Sequence, residues 1–150
     1  MPVRAKQIQV KRVYAKSLRG DGTRVLVDRL WPRGLSKDRA AVHAWLRDLA
    51  PSDDLRHWFH AYPQAWPLFR RRYLKELAQP EAADTLHELY RLANQPKKLT
   101  LLFASKDEAH NNAVVLKDLL QDMRKPPTGT GPGALRGVRE RQAKRMPRPA

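Results

Sequence analysis

"LTLLFASKDEAHNNAVVLKDLL" (residues 99–120) contains the most legible junction in the chain. Its first six residues, 99–104, are almost all apolar and do not alternate with polar ones, as in a strand buried on both faces. Ser105-Lys106-Asp107-Glu108 follows at once and matches the S-x-x-E capping box of a helix start. Ala109, Ala113, Leu116, Leu120 and Met123 then recur on one side of a helix expected to run to about Met123. A buried strand that feeds directly into a helix is half of a strand–helix–strand unit.

Upstream of this junction the sequence alternates between the two periods. Residues 8–14 (IQVKRVY) and 24–28 (RVLVD) read as strands, separated by a turn-rich loop containing Arg-Gly-Asp-Gly. Four helical segments follow. Residues 38–49 place Ala41, Val42, Trp45, Leu46 and Leu49 on one face. A short helix after Pro51-Ser52-Asp53-Asp54 carries Leu55, Trp58 and Phe59, with Ser52 as its cap. Residues 64–78 bury Trp66, Phe69, Tyr73, Leu74 and Leu77 and leave Arg70, Arg71 and Arg72 mostly outside. Pro80 opens a helix over 81–94. These segments predict an α/β fold: a small, mostly parallel sheet with several helices in a single compact domain, residues 1–123. Most of the helices fall between the second and third predicted strands.

After that point the composition changes. Residues 124–150 are rich in Pro, Gly and Arg and poor in apolar residues, so they are expected to form a disordered basic tail. The tail has eight basic residues against one acid, a net +7 of the chain's formal +15. Such an excess suits a polyanionic partner, with Arg136, Arg139, Arg141, Lys144 and Arg145 as the nucleic-acid contacts. An arginine-rich composition that serves solubility alone would look the same. The chain has no cysteine, which excludes disulfides, thiolate metal sites and a cysteine nucleophile and fits a reducing compartment. The N-terminal MPVRAKQIQV has no apolar signal region, and no stretch is long and apolar enough to cross a membrane. A cytoplasmic protein without a membrane partner is expected.

Two segments could carry chemistry, each at the carboxyl end of a predicted strand. One is Asp28-Arg29-Leu30-Trp31-Pro32-Arg33-Gly34. The other runs from Ser105 to Asn112. In open α/β sheets ligands bind beyond these strand ends. If the two strands are parallel neighbours, both segments meet at one edge. Arg29 and Arg33 have the planar fork that matches phosphate or carboxylate, Pro32 stiffens the loop between them, and Gly34 lets the backbone turn. Lys106, Trp31 and Asn112 complete the expected binding set for a small anion. The competing reading pairs Arg29 with Asp28 or Asp107, sends Lys106 to solvent and puts Trp31 in the core. His110 lies one helical turn after Asp107, a spacing that suits an acid–base histidine oriented by a carboxylate, or a histidine with only a structural bond. His57 and His60 are three apart, but no third ligand is evident, so no metal is expected; no cofactor motif occurs either.

The stretches VLVDRLWPRG (25–34), WLRDLAPSDDLRHWF (45–59), WPLFRRRYLKEL (66–77) and residues 99–120 resemble the YeaO-like family, domain of unknown function 488. The resemblance spans nearly the whole body and stops near residue 124. It implies a compact single α/β domain and names no reaction. Asp28, Arg29, Trp31, Pro32, Arg33, Gly34, Lys106, Asp107, His110, Asn111 and Asn112 match its motifs. Phe103 stands where the family pattern more usually has tyrosine, and Ser105 where it has alanine. A reaction that needed the tyrosine hydroxyl would therefore not carry over.

Overall fold

The computed structural model describes residues 7–124. Four strands, β1 (Ile8–Arg12), β2 (Thr23–Leu26), β3 (Ala44–Trp45) and β4 (Leu99–Phe103), form one sheet in the order β1-β4-β2-β3. Every pairing is parallel. The α/β expectation therefore holds. Of the basic tail, all but Arg124 lies outside the described residues, including Arg136, Arg139, Arg141, Lys144 and Arg145.

β4 is central because it can be: all five of its residues are buried. Leu99, Leu101 and Phe103 face the larger core together with Val25 and Val27, while Leu102 and Leu26 face a smaller one on the opposite side. Apolar residues on both faces explain why this strand shows no alternation in the sequence. The larger core is closed by α3 (Trp66–Leu77), α4 (Pro80–Ala93) and α5 (Asn112–Asp122). The smaller one is closed by Ala40 and by Trp31, Leu35, Val42 and Trp45 around it.

Two expectations need correction. Residues 38–49 are not one helix. α1 (Lys37–Ala40) stops after four residues, β3 follows, and Arg47–Leu49 form a 3-10 turn. The cause is long-range. The buried Arg24 guanidinium reaches across to the carbonyls of Ala40 at 2.7 Å and Ala41 at 3.1 Å, capping α1, and Ala41 takes the left-handed conformation at φ 49°. Trp45 then belongs to a strand, and the helices α2 (Asp53–Ala61), α3 and α4 all fall between β3 and β4. The second correction concerns the last helix. It begins at Asn112, not at Ser105, with Asn111 as cap: the Asn111 side chain accepts from the Val114 amide at 3.1 Å. Ser52 does cap α2 as expected, accepting from Leu55 at 3.1 Å.

Candidate functional site

The carboxyl ends of β2 and β4 lie side by side, so the two polar segments meet. Asp28, two residues beyond β2, accepts from the Ala104 amide at 2.8 Å. From the other segment, the buried Asn112 side chain donates to the Val27 carbonyl at 2.9 Å. β1 joins the same edge through Arg12, whose guanidinium donates to the carbonyls of Ala104 and Ser105, each at 2.9 Å. Three strand ends are thus tied together by side chains where the backbone ladder stops.

The side chains then diverge. Arg29 is half-buried and turns toward the start of α2, donating to the Ala50 carbonyl at 3.3 Å; its Nε is buried with no partner. Arg33 is exposed, and its carbonyl accepts from the Tyr14 hydroxyl at 2.8 Å. Trp31 packs into the smaller core, edge-on to Trp45 at 5.5 Å, with its indole N–H on the Leu35 carbonyl at 2.7 Å. Lys106 is exposed. Neither Arg29 nor Lys106 forms an ion pair with Asp28 or Asp107 among the described residues.

Residues 105–110 form a turn that an aspartate organises. Asp107 accepts from the amides of Ala109 at 3.0 Å and His110 at 3.1 Å, and its other oxygen lies 3.2 Å from His110 Nδ1. Burial would raise the Asp107 carboxyl, but these amides and the imidazole outweigh it and hold it below the usual carboxylate range. The His110 ring rests against Trp66 at 5.0 Å, beside the aromatic set of Phe59 and Phe69. Both members of the pair are about half exposed.

Asp28 has the opposite character. Burial pushes its carboxyl up, and the Ala104 amide, the Asn112 amide and the Arg56 charge only partly offset this. Behind it stands Tyr73, fully buried, whose hydroxyl donates to the Leu49 carbonyl. Burial raises the Tyr73 phenol well above its ordinary value, with further upward pressure from the charges of Asp28 and Glu76; Asn112 and Arg29 act the other way. Glu76 is in turn bonded to Ser52, through its amide at 2.8 Å and its hydroxyl at 2.6 Å. Tyr73 and Arg56 therefore belong to the environment of Asp28, with Glu76 beyond Tyr73. The sequence hid them, because Tyr73 lies on an apolar helical stripe and reads as core. Arg56, like Arg29, has a buried Nε without a partner.

His57 and His60 lie on the exposed side of α2, and no group of three or more His, Asp or Glu among the described residues could hold a metal ion. None of the described helices is long and apolar enough to cross a membrane.

An all-parallel four-stranded sheet with polar, cation-rich carboxyl ends defines a small α/β domain of the kind that presents loops at one edge. The chain belongs to the YeaO-like DUF488 family. Residues 7–130 match a family model described as the "Inactive DUF488-N3 subclade". Over 118 residues the chain is 45% identical to "Uncharacterized protein YeaO" of Escherichia coli, a match covering 77% of this chain and 98% of that protein. It is 41% identical over 118 residues to "Uncharacterized protein Rv3073c" of Mycobacterium tuberculosis, covering 79% of this chain and 97% of the relative. No solved structure matches the chain.

Proposed function

We propose that the carboxyl edge of the sheet binds a small phosphate- or carboxylate-bearing ligand, and that the domain holds this ligand without turning it over. One observation carries the reading: the half-buried Arg29 guanidinium keeps an unpartnered Nε beside an aspartate that spends its oxygens on neutral N–H groups. A half-buried guanidinium with only one carbonyl acceptor has donors to spare, and an incoming anion would use them. Arg29, with Arg56 behind it, supplies the inner charge; Arg33 and Lys106 supply an outer ring; Asn112 fixes the floor and Trp31 stiffens the loop. The word "inactive" in the family description supports binding over turnover, as does Phe103 in place of tyrosine. In this reading His110, oriented by Asp107, contacts the ligand; in the enzymatic variant of the same reading it moves a proton.

The test is a thermal-shift series with inorganic phosphate and with phosphorylated and carboxylated metabolites. A ligand present at a hundredfold over its Kd adds about 2.7 kcal/mol to stability. Arg29→Ala should abolish the response and Arg33→Ala should weaken it. A response that survives both substitutions places the ligand elsewhere. Product formation that His110→Ala removes would replace the binder by the enzyme.

The formal charge of +15 favours a second reading, nucleic-acid binding through the body and the 124–150 tail. Affinity would then fall steeply with salt, by about 0.9 log units per phosphate neutralised for each tenfold rise in salt, and tail deletion would flatten the slope.

A further inference from the structure

A second feature borders the β2–β4 edge but is lined by other residues. Past the end of β1 the chain opens a groove of about 470 Å³, lined by Val13, Tyr14, Lys16, Ser17, Leu35 and Arg39 among others. That volume lies within the range of small-ligand pockets. Its polar side is one-signed: Lys16 and Arg39 are exposed, neither forms an ion pair among the described residues, and no carboxylate lines the groove. Its apolar side is Val13, Leu35 and the ring of Tyr14.

Tyr14 is an unusual surface tyrosine. It is 42% exposed, yet its ring is held at two points. Its hydroxyl is bonded to the Arg33 carbonyl at 2.8 Å, and the Arg12 guanidinium lies 5.1 Å from the ring centroid. Arg12 is itself anchored to the carbonyls of Ala104 and Ser105. An aromatic ring fixed this way loses little freedom when a second flat group lies on it. Two unpaired cations and a hydroxyl flank it.

From this arrangement we infer that the groove is a nucleotide site: Tyr14 stacks on the base, and Lys16, Arg39 and the Ser17 hydroxyl take the phosphate. The combination of an aromatic platform and a cationic flank is what nucleotides require, and it reads a π-face without choosing a sequence. The nucleotide comes either free or as one unit of a single strand. Its ligand-binding side chains differ from those of the proposed anion site, although the Arg33 carbonyl and, through Arg12, the Ala104 and Ser105 carbonyls help to hold its platform.

The experiment is an amide-shift titration of the full-length protein with adenosine monophosphate, and in parallel with a short oligothymidylate. Shifts at residues 13–17 and 35–39 are expected with both. Tyr14→Ala should weaken the mononucleotide about tenfold or more, the loss of one stacked base. Tyr14→Phe should retain most of the affinity, and Arg39→Glu should remove it. Arg29→Ala should change nothing here, which separates this site from the proposed anion site. Oligothymidylate binding that is tighter than that of the mononucleotide and sensitive to Tyr14→Ala assigns a strand; a mononucleotide that binds as well or better assigns a free nucleotide. Shifts confined to residues 28–33 and 104–112, or a titration that Tyr14→Ala and Arg39→Glu leave unchanged, would overturn the inference.

Discussion

Strand β2 has an aspartate near each end, and the two are treated in opposite ways. Asp21 precedes the strand and is 3% exposed. It receives Lys11 at 2.9 Å, Arg24 at 2.6 Å, the Gln9 amide at 3.2 Å and the Leu18 backbone at 3.0 Å. Burial alone would raise its carboxyl, but the Leu18 amide, Lys11 and Arg24 bring it down to about 2. Asp28 follows the strand, has no ion-pair partner among the described residues, and is pushed up instead. At the amino end the charges of Asp21, Lys11 and Arg24 answer one another, so that end is a lock. At the carboxyl end two arginines and an aspartate remain partly unanswered. This uneven treatment of the two ends is what the proposed anion site rests on.

The largest effect should come from tampering with the lock. Gly22 sits at φ 68°, and a Cβ there would lie 2.1 Å from the Lys98 carbonyl oxygen. Gly22→Ala forces a backbone shift in addition to the conformational penalty; a loss of about 3 kcal/mol or more is expected in urea unfolding. A loss under about 1 kcal/mol would mean the turn is slack and the amino end less rigid than described. Asp21→Ala should cost about 3 kcal/mol, because Lys11 and Arg24 are left uncompensated. The sign of the pH dependence follows from the same group. The folded-state carboxyl lies below its ordinary 3.8, so its contribution is present above pH 4 and is lost as pH falls from about 4 to about 2. Asp21→Asn should flatten stability across that window.

The carboxyl end should respond more weakly. Asn112→Ala removes a donor from the Val27 carbonyl and from the surroundings of Asp28, a loss of about 1–2 kcal/mol by calorimetry. Asp28→Asn should have the smallest effect, and its sign should be reversed. A carboxyl raised by burial favours the folded state when protonated, so wild-type stability declines as pH rises through its titration. Replacement by a neutral acceptor for the Ala104 amide should remove that decline and leave the protein at least as stable at pH 7. If Asp28→Asn instead proved as damaging as Asp21→Ala, the contrast between the two ends would collapse.

Much of this was legible in the residues. The buried run of β4, the Ser52 cap and the helices around Tyr73 and Leu86 follow from period and capping chemistry alone. β3 was not legible: Ala44 and Trp45 sit in a stretch whose spacing also fits a helix, and what ends α1 is a guanidinium seventeen residues earlier in the chain from its Ala41 acceptor. The start of α5 was misread for a different reason. Ser105 and Glu108 match a capping pattern, but the Ser105 hydroxyl accepts only from the Asp107 amide, Asp107 in turn accepts from the amides of Ala109 and His110 to form a turn, and Asn111 is an equally good cap further on. At the candidate site, adjacency of the two motifs was foreseeable once both strands were parallel neighbours. The turn of Arg29 toward Ala50 and the presence of Tyr73 and Arg56 around Asp28 were not, because tertiary packing, not spacing, sets them.

The strand order also has a bearing on biosynthesis. β1 and β2 each pair with β4 and not with each other, and Ile8 finds its partner at Leu99. During synthesis at roughly 5–20 residues per second, the first strand waits several seconds for the segment that completes it. Contacts this distant in sequence slow productive collapse. β2 finds β3 only about twenty residues later, whereas the backbone N–H and C=O groups of β1 stay without their ladder partner until residues 99–103 have been made.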